Sequence, residues 1–216
     1  MEKSVYGGAI TFGEEIFMRV VCLDLEGVLV PEIWISFSEA TKIEELRLTT
    51  RDVPDYDALM KRRIGILERH NLKLADIQRV IEAMEPLEGA LDFLNVLREK
   101  TQVILLSDTF DQFAKPLMKK LGWPTLFCNT LVVNDAGAVA DYRLRQKDGK
   151  KHAVEGLKRM GFSVTAAGDS YNDVTMLQAA DRGFFFRPPE TILKEFPHIP
   201  VAYDFEKLRK YILNGG

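Results

Sequence analysis

Acidic and hydroxyl side chains follow two short apolar runs of this chain. The run 20–23 ends at Asp24, and Glu26 comes two residues later. The run 103–106 ends at Ser107. A short apolar run that stops at polar residues is typical of a buried strand entering a loop. Carboxylates at such a strand end could act as a nucleophile or as a general acid. Each of them alone could also be an ordinary solvated side chain of a loop.

A third apolar run, 163–167, leads into the segment 168–173, Gly-Asp-Ser-Tyr-Asn-Asp. Two aspartates beside an asparagine supply the oxygen ligands that a hard divalent cation prefers. The same residues could also form an acidic cap on the helix predicted to begin near Val174. The segment therefore favours a cation site at Asp169 and leaves a helix cap open.

The elements that must position these residues alternate between strands and helices. Strands are predicted at 20–23, 103–106, 163–167 and 183–186, and helices at 56–70, 87–100 and 150–160. This order predicts an α/β fold with a Rossmann-like, mostly parallel sheet covered by helices on both faces. Because ligands bind beyond the carboxyl ends of parallel strands, Asp24, Ser107 and Asp169 should meet at one rim.

Two segments fall outside the alternation. Residues 32–85 have helical patterns and no strand signal, which predicts a small helical cap inserted after the first strand. In residues 131–144 apolar and polar side chains alternate on both sides of Asn-Asp-Ala-Gly. This pattern predicts a β-hairpin before the lysine-rich segment. The predicted core therefore comprises 18–31 and 86–216. Residues 1–17 show no element signal and are interpreted as a leader that is either disordered or not native.

Composition excludes several classes of function. The 216 residues are 46% hydrophobic and carry a formal net charge of -3. The chain therefore lacks the excess positive charge that binding to nucleic acid requires. No apolar run approaches the roughly 18 residues of a membrane helix. Cys22 and Cys128 lie in apolar runs and are interpreted as buried, reduced thiols, so we expect a cytoplasmic protein. The three histidines lack metal-ligand spacing.

The order Asp-x-Glu, strand-end serine, helix-start lysine and Gly-Asp-x-x-Asn-Asp resembles the haloacid dehalogenase-like (HAD) phosphatases. The resemblance implies a phosphatase in which Asp24 is the nucleophile that forms an aspartyl-phosphate. It also implies Mg²⁺ held by Asp24, Asp169 and the main-chain carbonyl of Glu26. Ser107 would then hydrogen-bond a phosphoryl oxygen.

A lysine is needed to neutralise the charge on the phosphoryl group in the transition state. The candidates are Lys147, Lys150 and Lys151. Lys150 lies at the predicted start of a helix, which is the usual place for this lysine in the family, so it is preferred. Lys147 is the reserve, and Lys151 is compatible with a solvated helix face.

Glu26 departs from the aspartate that most of the family has at this position. As a general acid and base it would protonate the leaving oxygen and later activate water. Glutamate is one methylene longer, so its carboxyl group must fold back to reach the same oxygen. Slower attack by water would let an alcohol accept the phosphoryl group, which predicts a phosphotransferase activity.

Glu32 and Arg63 could bind the two charged ends of an amino acid. Glu32 would face the ammonium group and Arg63 would hold the carboxylate as a fork. The segments 24–34, 49–52, 106–110, 144–148 and 166–173 resemble a bacterial subgroup of bifunctional phosphoserine phosphatases and homoserine phosphotransferases.

The resemblance to that subgroup implies that Asp108 and Asn172 contact the substrate, together with Ser107 and Lys150. It implies phosphoserine and homoserine as substrates in serine and threonine biosynthesis. Two other hypotheses stay open: a phosphatase for another small phosphomonoester, and a catalytically inactive relative that binds a metabolite or a protein. Paired subunits are common among small cytosolic enzymes, so a homodimer is a further expectation.

Overall fold

The structure, a computed structural model, describes residues 9–12, 15–50, 52–53 and 55–214. Its strands are Ala9–Phe12 (β1), Glu15–Leu23 (β2), Gln102–Phe110 (β3), Thr125–Val133 (β4), Val139–Arg143 (β5), Phe162–Gly168 (β6), Arg182–Phe186 (β7) and Val201–Ala202 (β8). Its α-helices are Ile33–Thr41 (α1), Tyr56–Arg69 (α2), Leu74–Ala83 (α3), Ala90–Arg98 (α4), Asp111–Lys120 (α5), Gly149–Arg159 (α6), Val174–Ala179 (α7), Glu190–Glu195 (α8) and Phe205–Asn214 (α9). Short 3₁₀ turns cover Glu44–Arg47 and Tyr171–Asp173.

The described strands form one mostly parallel sheet in the order β5-β4-β3-β2-β6-β7-β8, with β1 beside β2. The pairs β2–β3, β2–β6, β3–β4, β6–β7 and β7–β8 are parallel, whereas β4–β5 and β1–β2 are antiparallel. The predicted Rossmann-like α/β sheet and the predicted hairpin are both confirmed. The hairpin turn includes Gly137 at a φ of 79°, a value at which glycine carries no Cβ penalty.

The amino-terminal part of the sheet differs from the prediction. β2 begins at Glu15 rather than at residue 20, and its first residues pair with β1. Backbone hydrogen bonds alone define this pairing, so the polar–apolar pattern gave no sign of it. The predicted leader thus includes a strand, and its residues 1–8, 13 and 14 lie outside the described residues. The boundary predicted at residue 18 stays a prediction.

Two apolar layers cover the sheet. Successive strand side chains point to opposite faces, so Val21 and Leu23 pack with the cap side of the core while Val20 and Cys22 pack beneath α6 and α7. Cys22 is buried and Cys128 only half-buried, and both are free thiols. Burial on both faces explains why β2 is a continuous apolar run at its centre.

Between β2 and β3 the described part of the chain forms helices joined by loops and one isolated bridge, Glu26–Val30, in agreement with the predicted helical insertion. α1 and α2 contribute residues to a cavity beside Asp24, and α3 packs against α1 and against α5 of the core. α4 belongs to the core and packs against β3 and α9. No helix among the described residues is both long and apolar enough to cross a membrane.

Candidate active site

Neighbouring strand ends bring together the polar residues that the sequence separates. β2 lies between β3 and β6 in the sheet. Asp24 directly follows β2, Ser107 lies near the end of β3, and Asp169 directly follows β6. The amide of Asp24 donates to the carbonyl of Ala167, which ties the first strand end to the third. The predicted meeting of these side chains at one rim agrees with the sheet order.

Glycine makes room for a carboxylate in the loop after β2. Gly27 has a φ of 78°, which L side chains rarely adopt, and a Cβ at this position would lie 2.5 Å from Cγ of Asp169. A Cβ at Gly168 would likewise clash with the carboxylate of Asp173. Both glycines therefore allow an acidic side chain to pack directly against the backbone.

Lys150 is the candidate lysine that reaches the rim. It lies in the first turn of α6 and is buried, and its Nζ is 2.9 Å from Oδ1 of Asp24. The carboxylate of Asp108 is 3.7 Å away from the same ammonium group. Lys147 is exposed in the loop before α6, and Lys151 lies 3.9 Å from Glu155 along the helix.

Asp173 is a site residue that our sequence reasoning did not place in the catalytic or metal sets. It is fully buried, and its Oδ1 accepts a 2.8 Å hydrogen bond from Lys150. Its Oδ2 accepts from the amides of Asp169 and Ser170. The available signal was its place in the predicted cation segment. Its actual contacts show that it orients Lys150 and the loop that carries Asp169.

The electrostatics of the rim are dominated by burial and by like charges. Burial, together with Asp173 and Asp169, raises the pKa of Asp24 well above its usual range, against the opposing effect of Lys150. Burial opposes the charge of Lys150, but Asp173, Asp24 and Asp108 together raise its pKa well above the usual value. The ammonium group is thus held charged by the acids around it.

The acidic cluster fits a divalent cation. Oxygens of Asp24, Asp169 and Asp173 lie within 4.8 Å of one another, and all three residues are buried. Oxygen-only ligands and several negative charges suit Mg²⁺. Because both oxygens of Asp173 already accept hydrogen bonds, Asp24 and Asp169 are the better ligands. The predicted ligand set of Asp24, Asp169 and the main-chain carbonyl of Glu26 stays a prediction.

The carboxyl group of Glu26 lies at the start of the cap. Its Oε2 accepts a 2.8 Å hydrogen bond from the amide of Ile33, the first residue of α1. Burial and the nearby charge of Glu32 raise the pKa of Glu26 to about 7, although the amide of Ile33 lowers it. Near neutral pH this side chain can therefore both donate and accept a proton.

The cap contributes a buried arginine to the same cavity. Arg63 is only 7% exposed, and its Nη2 donates to the carbonyl of Leu48 over 2.8 Å. Its guanidinium lies over the ring of Trp34, at 4.5 Å from the ring centroid. Burial lowers the pKa of Arg63 to about 10, against the effects of Tyr56 and of Glu26 and Glu32, so it is still a cation at neutral pH.

Two tyrosines connect the cap to the core. Tyr56, at the start of α2, donates from its hydroxyl to the carbonyl of Asp108 over 3.2 Å. Tyr142 of β5 donates to the carboxylate of Asp57 over 2.8 Å. The two rings meet edge to face with centroids 5.7 Å apart. Neither tyrosine was predicted as a site residue, because a pairing between α2 and the hairpin leaves no periodic signal.

Cap and core enclose a cavity of about 90 Å³. Its lining combines rim and cap residues: Asp24, Glu26, Glu32, Trp34, Thr49, Thr50, Tyr56, Leu59, Arg63, Asp108, Thr109, Phe110, Lys150, Ser170 and Asn172. Asn172 donates to the carboxylate of Asp108 over 2.8 Å. Of the predicted site residues, Ser107 and Asp169 lie at the adjacent buried rim rather than in this lining.

A larger hollow of about 610 Å³ lies between α7, β7 and α9. Its lining includes Arg182 and His198 but none of the predicted site residues. The volume of a cavity therefore does not identify the candidate active site. The charged and nucleophilic side chains are concentrated in the smaller cavity.

An α/β sheet whose strand ends carry an aspartate, a serine and an acidic cluster, with a buried lysine beside them, matches one family of hydrolases. Residues 18–181 match the haloacid dehalogenase-like hydrolase family, and the chain belongs to that family.

Two curated relatives are similar over most of the chain. The phosphoserine phosphatase of Pseudomonas syringae pv. tomato is 54% identical over 196 residues, covering 91% of this chain and 83% of the relative. Phosphoserine phosphatase ThrH of Pseudomonas aeruginosa is also 54% identical over 196 residues, covering 91% of this chain and 96% of the relative.

Two solved structures share the fold at lower identity. A phosphoserine phosphatase in its apo form has a TM-score of 0.75 at 24% identity, covering 90% of this chain and 99% of that one. A substrate-bound phosphoserine phosphatase complex has a TM-score of 0.71 at 23% identity, covering 92% of this chain and 100% of that one.

Proposed function

We propose that this hydrolase is a Mg²⁺-dependent phosphoserine phosphatase that works through an aspartyl-phosphate on Asp24 and can transfer the phosphoryl group to homoserine. The observation that carries the proposal is the shared cavity, in which Asp24 and Lys150 of the rim face Glu32 and Arg63 of the cap. The names of the 54% identical relatives support the phosphoserine part of it.

In the first half-reaction a carboxylate oxygen of Asp24 attacks phosphorus, and the bond between phosphorus and the serine oxygen breaks. Glu26 gives its proton to that leaving oxygen, a role that suits a carboxyl group with a pKa of about 7. The ammonium of Lys150, which is already paired with Asp24, offsets the charge on the phosphoryl oxygens. Ser107 donates a hydrogen bond to one of them.

In the second half-reaction an acceptor oxygen attacks the phosphorus of the aspartyl-phosphate, and the carboxylate of Asp24 is released. Glu26 now takes the proton of the acceptor, which is water for hydrolysis and homoserine for transfer. Mg²⁺, when bound by Asp24, Asp169 and the carbonyl of Glu26, supplies positive charge next to the nucleophile.

Homoserine suits the acceptor role chemically, because it is serine with one additional methylene and keeps the same ammonium and carboxylate groups. The anchoring of Glu26 to the amide of Ile33 restrains the longer side chain at the cap side of the cavity. Glu26 as general base would therefore act on an acceptor hydroxyl that enters from the cap side of the cavity.

The substrate is tested with Arg63→Ala. The variant should raise KM for phosphoserine at least tenfold, since it removes a charged hydrogen-bonding partner worth about 1.5–3 kcal/mol, while KM for an aryl phosphate should change far less. Equal changes for both substrates would favour the alternative, a phosphatase for another small phosphomonoester without an amino-acid group.

Transfer is tested by adding homoserine to a phosphoserine reaction and measuring both products. Phosphohomoserine should form as free phosphate release falls, and Asp24→Asn should abolish both. Phosphate release that homoserine leaves unchanged, with no phosphohomoserine, would restrict the protein to hydrolysis.

A further inference from the structure

The guanidinium of Arg63 has one polar atom without a partner. Its Nη2 donates to the carbonyl of Leu48, and its Nη1 lies 3.8 Å from the sulfur of Met60. Its Nε is buried and has no hydrogen-bond partner among the described residues. A buried N–H donor that has lost water is costly unless an acceptor replaces it. Arg63 lines the cavity, so this donor belongs to the cation that a ligand carboxylate entering the cavity would meet.

Trp34 is the aromatic neighbour of this guanidinium. The Cζ atom of Arg63 lies over the indole ring, 4.5 Å from its centroid, and the indole is itself only 7% exposed. Its own position is fixed by edge-to-face contacts with Phe37 of α1 and Phe113 of α5, at centroid distances of 6.3 Å and 5.8 Å. The ring is therefore held from the cap and from the core at the same time.

An aromatic ring beneath a cation attracts it through the negative face of the ring, which an aliphatic side chain could not do. Because this attraction uses no conventional hydrogen bond, the N–H donors of the guanidinium stay available for a ligand. The attraction is largest where the cation has lost water, as it has around Arg63.

We propose that Trp34 is a positioning residue that fixes the guanidinium of Arg63 so that Nε–H is available to the carboxylate of an amino-acid phosphomonoester. The inference rests on the proposed function and adds the residue that sets its preference for a carboxylate. Trp34 acts through Arg63 and does not itself contact the reacting atoms.

The test compares two substrates that differ only in the group that Arg63 would bind. Phosphoserine carries an ammonium, a carboxylate and a phosphate, whereas phosphoethanolamine lacks the carboxylate. The measured quantity is the ratio of kcat/KM for phosphoserine to kcat/KM for phosphoethanolamine. Trp34→Leu should lower this ratio about tenfold through KM, the size of a desolvated cation–aromatic contact. Phe185→Leu is the matched control, a buried aromatic of β7 in the other apolar layer, and should keep the ratio within about twofold.

A double-mutant cycle separates positioning from general packing. If Trp34 acts through Arg63, then Trp34→Leu added to Arg63→Ala should lower the ratio no further. If the two substitutions lower the ratio by factors that multiply, the inference is overturned. A Trp34→Leu variant that keeps the wild-type ratio would also overturn it. A wild-type protein with equal kcat/KM for both substrates would instead contradict the proposed function, and the inference with it.

Fluorinated tryptophan keeps the test valid if Trp34→Leu does not fold. The chain has two tryptophans, and Trp123 is exposed, so Trp123→Phe leaves Trp34 as the single labelled position. Each added fluorine weakens the negative face of the ring with little change in shape. The ratio should fall stepwise with the number of fluorines, and a flat series would overturn the inference.

Discussion

The core and the cap hold their charged side chains in different ways. On the core rim Lys150 forms ion pairs with Asp24 and Asp173, so charges hold one another. In the cap Arg63 is held by a peptide carbonyl and an aromatic face. A rim whose charged groups are fixed by one another can carry out the same chemistry on any phosphomonoester. An arginine held by neutral groups keeps its charge for a ligand.

This difference assigns reaction chemistry to the rim and substrate choice to the cap. Changes at the rim should lower kcat for every substrate, and changes in the cap should alter KM selectively. The following predictions test that division, beginning with the largest effect.

Removal of divalent cations should have the largest effect. Dialysis against a chelator should lower turnover of every phosphomonoester below detection, because the buried carboxylates around Asp24 would repel a phosphate dianion. Added Mg²⁺ should restore turnover, as measured by phosphate release. Turnover that persists after complete chelation would contradict the proposed role of the acidic cluster.

Lys150→Ala should lower kcat by about 10³-fold, because it removes the buried ammonium that faces the phosphoryl group and leaves Asp24 and Asp173 without their partner. Lys147→Ala is the matched control, since Lys147 is exposed in the same loop region. Steady-state kinetics on two substrates checks the result. Comparable losses of kcat in both variants would be evidence against the assignment of reaction chemistry to the rim. A loss of kcat for Lys150→Ala that depends on the substrate would also be evidence against it.

Gly27→Ala should lower the free energy of unfolding by about 2–4 kcal/mol, because it adds a Cβ at a φ of 78° and against the carboxylate of Asp169. Gly156→Ala is the control in α6, where a Cβ would meet nothing within 4 Å, and should stabilise by about 0.5–1 kcal/mol. Urea unfolding measures both. A Gly27→Ala variant with an unchanged free energy of unfolding would show that this loop does not need residue 27 to lie so close to Asp169.

Tyr142→Phe should have the smallest effect. It removes one exposed hydrogen bond to Asp57, so the free energy of unfolding should fall by at most about 1 kcal/mol, and KM for phosphoserine should rise about twofold through looser docking of α2. Tyr203→Phe, at an exposed site on the core, is the control. A lower kcat without a change in KM would place Tyr142 with the rim instead of the cap.

The rim was predictable from sequence for a physical reason. Asp24, Ser107 and Asp169 follow strand ends, and parallel strands bring their carboxyl ends to one edge whatever the details of packing. Lys150 was preferred over Lys147 by its place at a helix start, and the structure buries it beside Asp24. Local spacing and sheet topology were sufficient for these residues.

The contacts of the cap were predictable only in part. Glu32 and Arg63 were recognised as a pair of opposite charges, but the stacking of Trp34 on Arg63 depends on how α1, α2 and α5 pack. Tyr56 is hydrogen-bonded to a peptide carbonyl of Asp108, and a backbone acceptor leaves no mark in the sequence. β1 escaped prediction for the same reason, because its pairing with β2 is defined by backbone hydrogen bonds.

The most direct test of the account is to trap the phosphorylated protein. The chain is mixed with phosphoserine and Mg²⁺, quenched in acid within the first turnover, digested, and examined by mass spectrometry. We predict one added phosphoryl group on Asp24, which decays faster and yields phosphohomoserine when homoserine is present. A protein that turns over phosphoserine with no phosphoryl group on Asp24, or an Asp24→Asn variant that keeps its turnover, would contradict the account.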